Sequence, residues 1–358
     1  VNNKKFNHLK VHTQYSICEG AIKIEELADY CKLNRVKSVG LADSFNLCGA
    51  LEFSEKISKI GTHPIIGTQI NLKLSDTIGK VTLYATSETG YKNLTKLSSL
   101  SYLQNNTMKD PFCNLKDLTE NNEDLILLTG NYTNFFGQLF YKNKLKDFEQ
   151  ILSSLKKAFK DRLYVEIQRH NELQEKNFEN YLLNISKSLQ LPLIATQEVF
   201  YLNEDMYEAH DALICIGEKN FIDDKNRFKY NNQHYFKSQE KLEKLYLDIP
   251  EALENNYNFH LRFNFKPKKS KPILPSIASK ESQSPEEELS KLAKEGLKNR
   301  LENLIFKKNK IKSEKQIKEI YEDRLNHEIN IINSMDYASY FLIVSDYIKW
   351  AKKNSIPV

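Results

Sequence analysis

Short apolar runs alternate with amphipathic stretches over roughly the first 215 residues of the chain. Most of the runs are rich in Val, Ile and Leu and do not alternate cleanly between apolar and polar positions. This pattern is typical of strands that are buried on both faces of a sheet. It predicts seven strands, over residues 6–12, 36–43, 64–74, 80–86, 124–130, 162–168 and 192–199.

Helical patterns lie between most of the predicted strands, for example IEELADYCKL after the first and ALEFSEKISKI after the second. Strands joined by crossover helices favour an α/β fold, here a distorted (β/α)7 barrel. The distortion is expected where a short loop joins the third and fourth strands. Chemistry in such barrels lies at the C-terminal ends of the strands, which here carry His12, Asp43, Gln69, Asn131, His170 and Glu198.

The composition changes after the barrel pattern. Residues 263–289 contain four prolines together with several lysines and serines, which disfavours both a helix and a central strand. Three helices are predicted beyond them, the first with Ser284 as N-cap and Glu287 closing a capping box. The third, YASYFLIVSDYIKWAKKN, is apolar over more than half its circumference and is expected to be well buried. The predicted divisions are a domain over 1–265, a linker over 266–284 and a truncated second domain over 285–358.

Composition narrows the class of protein. The chain has 358 residues, a net charge of +5 and five cysteines without paired spacing, which indicates reduced thiols in a cytoplasmic protein. No apolar run is long enough for a transmembrane helix, and the N-terminus lacks the apolar core of a signal peptide. Because the chain begins with Val1 and ends on an apolar run, we expect it to be part of a longer chain. The lysine run at 266–271 is most simply a solvated linker, with a DNA-backbone contact as the alternative.

The stretch HLKVHTQYS places His8, Lys10 and His12 on alternating residues of the first strand. Alternating histidines are typical either of packed strand positions or of metal ligands on one face. A lysine between them cannot coordinate a cation unless it loses its proton. From the residues alone, His12 could be a hydrogen-bonded core histidine, and so could His170 and His210. Glu198 could also be a general base.

Eight stretches together carry a resemblance to a known family. They are HLKVHTQYSICEGA, LADSFNLCGALEF, PIIGTQI, GYKNLTKLSSLSYL, LPLIATQEVFYL, EAHDALICI, DIPEALENN and MDYASYFLIVSDYIKWAKKNSIPV. Over its whole length the chain resembles the alpha subunits of bacterial DNA polymerase III, the family C replicative polymerases. The resemblance implies that about the first 260 residues form a polymerase-and-histidinol-phosphatase (PHP) barrel, and that residues 285–358 begin the palm and thumb region.

In relatives with an intact site, this barrel binds a metal-ion cluster through histidines and carboxylates. The resemblance implies that most of this ligand set is missing here, so no metal ion or other cofactor is expected in this chain. Lys10 would put an ammonium in the place of a cation and would pair with Asp43, Glu19 or Glu198. Glu19 stands for an aspartate and could still coordinate. The vestigial positions are Lys10, His12, Glu19, Asp43, Ser44, Gln69, Lys80, Asn131, Glu198 and Phe200.

The resemblance also implies a function for the parent protein. It would extend a DNA primer on a template, using Mg²⁺ held by palm aspartates that are absent from these residues. This chain alone would be inactive, and its barrel would be a scaffold and docking site for a separate proofreading 3′–5′ exonuclease subunit. DNA, the sliding clamp and other replisome subunits would bind elsewhere on the parent, and no membrane is involved. The alternatives are an active metal-dependent PHP phosphoesterase or 3′–5′ exonuclease, and a stand-alone binding module.

Overall fold

A computed structural model describes residues 5–103, 111–270, 275, 284–308 and 313–358. The chain forms two compact units, Val1–Lys269 and Ser270–Val358. Most of the predicted linker over 266–284, and Lys271 of the lysine run, lie outside the described residues. None of the described helices is both long enough and apolar enough to cross a membrane.

The first unit contains a strand in each of the seven predicted regions. The last region is divided by Gln197 into two short strands, and a two-residue strand at Phe112–Cys113 is an addition to the prediction. The strands are β1 His8–Val11, β2 Ser38–Leu41, β3 His63–Leu74, β4 Thr77–Ala85, β5 Phe112–Cys113, β6 Leu125–Leu128, β7 Leu163–Gln168, β8 Leu193–Thr196 and β9 Glu198–Val199.

These strands form one nearly closed sheet in the order β8-β7-β6-β4-β3-β2-β1-β9, with β5 beside β3. Because only Gln197 separates β8 from β9, the segment at 193–199 pairs with β7 through its first half and with β1 through its second. Strand β4 is antiparallel to β3 and β6, and the other pairs are parallel. The predicted distortion therefore lies at the two-residue connection between β3 and β4, and the distorted barrel is confirmed.

Helices surround this sheet, and four of them occupy the predicted stretches between strands. They bury apolar side chains against the strands; Leu27 of the first and Phe53 of the second are fully buried in one cluster with Val39 and Leu41 of β2. The helices are α1 Ile24–Leu33, α2 Ala50–Lys59, α3 Glu88–Leu103, α4 Leu115–Glu120, α5 Phe135–Tyr141, α6 Leu145–Phe159, α7 Glu175–Leu189, α8 Tyr207–Glu218, α9 Gln239–Leu245 and α10 Pro250–Phe259.

The interior of the barrel has an apolar layer and a polar layer. The apolar layer takes residues from six strands, namely Leu9, Ile65, Tyr84, Ile126, Tyr164 and Ile194, and Phe259 of α10 packs against them. The polar side chains lie toward the C-terminal ends of the parallel strands and toward the N-terminal end of the antiparallel β4, and several are fully buried. Buried polar groups must be hydrogen-bonded or paired with opposite charge. The polar layer is thus the candidate functional site.

The second unit is helical. Its elements are α11 Pro285–Arg300, a π-helical turn Leu301–Ile305, α12 Phe306–Lys308, α13 Glu314–Ser334 and α14 Ala338–Lys353. The predicted N-cap is present, since the Ser284 hydroxyl accepts a hydrogen bond from the backbone of Glu287. The prediction that the third helix is well buried is wrong. Within the described part of this unit α14 buries only Ala338 and Leu342, because the other helices cover a narrow seam of it, and Trp350 is 61% exposed.

Candidate functional site

The predicted site residues lie where the parallel strands end, at the mouth of the barrel. Lys10 of β1 is the register partner of Glu198 in β9, so the two side chains start from adjacent strands. His12 follows β1 directly, and Gln69 lies in β3 beyond the end of β2. Closure of the sheet between β9 and β1 therefore brings together residues that are nearly 190 positions apart in the sequence.

Glu198 is the centre of the inner network. Its Oε1 lies 3.0 Å from His12 Nε2, and it accepts a hydrogen bond of 2.6 Å from Gln69 Nε2. Its Oε2 accepts from Asn131 Nδ2 at 3.3 Å. The Lys10 ammonium lies 3.7 Å from Oε1. Both oxygens of this carboxylate are thus engaged, by three hydrogen-bonding side chains and one ammonium that come from β1, β3 and β6 or their ends.

Glu166 is a functional residue that the sequence reasoning missed. Its carboxylate lies 3.3 Å from Lys10 Nζ, and both side chains are fully buried. The backbone N–H of Gly130 and the amide of Gln168 donate to it at 2.8 and 2.7 Å. A signal was present, since Glu166 is a charged residue inside the buried run LYVEIQ. A single ammonium thus lies between two buried carboxylates, Glu166 and Glu198.

The charge of Lys10 decides the ionisation of Glu198. Burial raises the pKa of this carboxyl group, but the Lys10 ammonium and the His12 hydrogen bond outweigh burial and hold the pKa well below its usual range. An opposite charge within a few ångströms favours the ionised form in this way. Glu198 is therefore a carboxylate at neutral pH.

Asp43 does not pair with Lys10 but accepts hydrogen bonds from one backbone N–H and two hydroxyls. Its Oδ1 accepts from the Thr13 N–H at 2.6 Å and from the Ser16 hydroxyl at 2.7 Å, and its Oδ2 accepts from the Thr13 hydroxyl at 2.7 Å. Burial raises the pKa of Asp43, and these hydrogen bonds oppose that rise. Of the three carboxylates predicted to pair with Lys10, only Glu198 forms an ion pair with it among the described residues. Asp43 instead ties the loop after β1 to the end of β2.

Glu19, Lys80 and Ser44 form a second cluster nearer the surface. Lys80 Nζ lies 2.5 Å from Glu19 Oε1 and donates to the Ser44 hydroxyl at 2.9 Å. The Ser44 hydroxyl donates in turn to Glu19 Oε2. Burial raises the pKa of Glu19, but the Lys80 ammonium, His12 and the Ser44 hydroxyl together outweigh burial, so the pKa is lowered. The third predicted partner of Lys10 is thus paired with a different lysine.

Phe200 covers the network with its ring. Its centroid lies 4.6 Å from that of His12 and within 5.5 Å of those of His210 and His234. His210 Nε2 lies 2.8 Å from a backbone carbonyl, and His170 accepts a hydrogen bond from the Glu198 N–H. His170 and His210 thus each form a hydrogen bond, as predicted, although Nδ1 of His210 is buried without a partner in the described part of the chain.

The site residues do not fit a metal-ion cluster. The remaining carboxylates, Glu19, Asp43 and Glu198, already bind lysines, hydroxyls, amides or backbone N–H groups. A divalent cation among them would also meet the ammonium groups of Lys10 and Lys80, which repel it. In the part of the chain that the structure describes, no three His, Cys, Asp or Glu side chains are grouped so that they could hold a metal ion.

Lowering the pH is expected to destabilise the first unit through Glu198. The folded-state pKa of this carboxyl lies below its unfolded value of about 4.3, so its contribution to stability is complete above that value and is lost as the pH falls through the folded pKa. Urea unfolding at several pH values between 7 and 3 measures this. Glu198→Gln, which cannot titrate, should show a shallower loss, and an unchanged slope would contradict the assignment.

Comparison with protein families finds two matching models. Residues 8–170 match the PHP domain, and residues 287–358 match the bacterial DNA polymerase III alpha NTPase domain. A protein named DNA polymerase III subunit alpha from Caulobacter vibrioides is 37% identical over 361 residues, which cover 99% of this chain and 31% of that protein. The protein of the same name from Haemophilus influenzae is 33% identical over 358 residues, covering 99% of this chain and 30% of that protein. The chain thus spans about a third of the length of these relatives.

Similarity to solved structures is more distant. An amidohydrolase from Chromobacterium violaceum matches 58% of this chain and 96% of its own, with a TM-score of 0.39 and 9% identity. This similarity is too low to support a statement about chemistry.

Proposed function

This chain belongs to the family of bacterial DNA polymerase III alpha subunits, and on that premise we propose that its parent protein carries out template-directed DNA synthesis in replication. The parent would extend a primer with deoxynucleotides, with Mg²⁺ held by carboxylates outside these residues. This chain alone would then lack polymerase activity. What supports the proposal is the relatives' shared name, together with family matches in both units of the chain.

We also propose that the PHP barrel is a scaffold without hydrolytic activity and with no bound metal ion. The observation that carries this is the fully buried Lys10 between Glu166 and Glu198. An active phosphoesterase needs an open metal position and a metal-activated water. Here Glu198 is surrounded by an ammonium, an imidazole and two amides, which favours a structural network over a hydrolytic one.

A barrel that does not cleave phosphodiester bonds leaves proofreading to another protein. We therefore propose that a 3′–5′ exonuclease subunit docks on the PHP barrel. DNA, the sliding clamp and further replisome subunits would bind to other parts of the parent. The competing function is an active PHP phosphoesterase or 3′–5′ exonuclease in this chain itself.

We expect residues 1–358 to retain the exonuclease subunit of the same organism in a pull-down, equally in the presence and absence of EDTA. EDTA should have no effect because Lys10 pairs with Glu166 and Glu198 in the barrel, so the fold does not depend on a metal ion that EDTA could remove. In parallel, a 3′-labelled single-stranded oligonucleotide incubated with the chain and Mn²⁺ should stay intact.

Two results would count against this proposal. Failure of the exonuclease subunit to associate would remove the docking role. Cleavage of the oligonucleotide that a chelator abolishes would instead favour the competing enzyme, and a Glu198→Gln variant then tests whether the cleavage comes from the barrel mouth or from a contaminant.

A further inference from the structure

A cavity of about 350 Å³ lies at the end of the barrel opposite the mouth. One wall comes from the end of α2 and the start of β3, including Ser58, Thr62 and His63. The other comes from the segment after α10, including Asn264 and Lys266. His63 pairs in the sheet with Ser38, so it lies at the N-terminal ends of β2 and β3. This cavity is therefore separate from the network around Glu198.

The polar groups that line this cavity are hydrogen-bond donors or can act as donors. They are the hydroxyls of Ser58 and Thr62, the imidazole of His63, the amide of Asn264 and the ammonium of Lys266. The Thr62 hydroxyl already donates to the Val36 carbonyl at 2.9 Å. None of the described lining residues carries a carboxylate. A set of donors with an ammonium and without a negative charge suits an anion and disfavours a metal cation.

Two histidines beside the cavity have unsatisfied ring nitrogens. Within the described chain, Nε2 of His63 and Nδ1 of His260 are buried and have no hydrogen-bond partner. The ring centroids are 6.4 Å apart, which is too far for a direct bond between the two nitrogens. Burial, with a smaller effect of His260, lowers the pKa of His63, so its ring is neutral at neutral pH. A buried polar atom without a partner is costly, and a ligand that supplies charge and acceptors would relieve that cost.

The surroundings of the cavity are predominantly basic. The acidic side chains on the neighbouring elements are engaged with cations: Glu55 with Lys269 at 3.1 Å, Glu88 with Lys92 at 2.9 Å and Asp161 with Arg262 at 2.7 Å. The further cations on the elements that meet here are Lys59, Lys266 and Lys268. The lysine run that begins at Lys266 thus continues from the cavity wall, and the excess positive charge would attract a polyanion.

We propose that this cavity binds a backbone phosphate of DNA, with Lys266 as the charge partner and His63 as a hydrogen-bond donor. Phosphate contacts of this kind position nucleic acid without reading its sequence. The choice of DNA over another phosphate rests on the proposed function of the parent. The alternative is the solvated linker predicted for the same lysines, and the experiment below distinguishes the two.

The first test measures binding of a labelled single-stranded oligonucleotide to residues 1–358 by fluorescence anisotropy at several salt concentrations. Lys266→Ser should weaken binding roughly threefold and reduce the slope of log affinity against log salt by about 0.7, the value for one lost phosphate contact on a single strand. Lys176→Ser, an exposed lysine of α7, is the matched control and should change neither. Equal effects of the two substitutions would overturn the proposal.

The second test uses inorganic phosphate and does not depend on DNA. Phosphate should shift the imidazole NMR signals of His63 in a saturable way and raise its pKa, while chloride at the same ionic strength should not. His63→Gln should weaken phosphate binding and remove the part of its pH dependence that exceeds the titration of phosphate itself. If phosphate behaves like chloride, the anion site is refuted. If phosphate binds but Lys266→Ser leaves the oligonucleotide affinity unchanged, the assignment to DNA is refuted. Neither result bears on DNA synthesis by the parent, which these experiments do not measure.

Discussion

Lys10→Met is expected to lower the free energy of unfolding by about 3–5 kcal/mol, the range found when one partner of a buried ion pair is removed. The physical reason is the charge that remains. Lys10 is fully buried between Glu166 and Glu198, and methionine would leave these two buried carboxylates facing each other without a cation. Methionine fills nearly the same volume, so the loss reports charge rather than packing. Urea unfolding at pH 7 measures it.

Two further variants show whether the effect has this cause. Lys10→Met combined with Glu198→Gln removes one of the two stranded charges and should recover part of the lost stability. Lys80→Met breaks the outer pair with Glu19, where both side chains are partly exposed, and should cost much less. A Lys10→Met protein as stable as Lys80→Met would show that the inner ammonium does not hold the network together.

The barrel could be predicted from the sequence because its strands are local apolar runs. All seven regions contain strands, since a buried strand needs Val, Ile and Leu wherever it lies in the sheet. The direction of β4 could not be read, because strands that lie antiparallel and parallel to their neighbours have the same composition when both faces are buried. Strand β5 has two residues, too few to carry any pattern. The closure through 193–199 depends on pairing between distant segments and has no local signal.

The site could be predicted only in part, for a similar reason. The C-terminal ends of parallel strands must converge, so the gathering of His12, Gln69 and Glu198 follows from the fold once the strands are known. The partner of Lys10 could not be chosen among three carboxylates, because distances of a few ångströms depend on the closed sheet. Glu166 has no counterpart among the vestigial ligand positions that the family resemblance implies, so the resemblance does not predict it. The better rule is that any charge inside a buried run requires a partner.

Exposure in the second unit shows where pattern reasoning goes wrong. The apolar positions of α14 correctly predict a helix, but the pattern does not say which other segment packs against them. Within the described residues of this unit, Phe341 and Trp350 remain 44% and 61% exposed. Hydrophobic periodicity thus fixes the helix and its apolar face, while burial depends on what packs against that face.

Two substitutions of Asp43 distinguish a carboxylate that serves as a hydrogen-bond acceptor from one that serves as a metal ligand. Their effects on the free energy of unfolding should differ sharply. Asp43→Ala removes the acceptor for the Thr13 N–H and for two hydroxyls at a buried position, and we expect a loss of roughly 2–4 kcal/mol in the free energy of unfolding. Asp43→Asn keeps one acceptor oxygen for the backbone, and its NH₂ group can donate to the Thr13 hydroxyl. Since burial already raises the pKa of Asp43 and so disfavours the charge, the asparagine variant should lose about 1 kcal/mol or less.

The comparison of these two variants tests the role directly. Urea unfolding of the unmodified chain and of both variants at pH 7, each with and without Mn²⁺, gives six values. If Asp43 serves as a hydrogen-bond acceptor, alanine is costly, asparagine is tolerated and Mn²⁺ changes nothing in any variant. If the carboxylate is needed for its charge, asparagine will cost as much stability as alanine. If Mn²⁺ stabilises the unmodified chain but neither variant, Asp43 is a metal ligand.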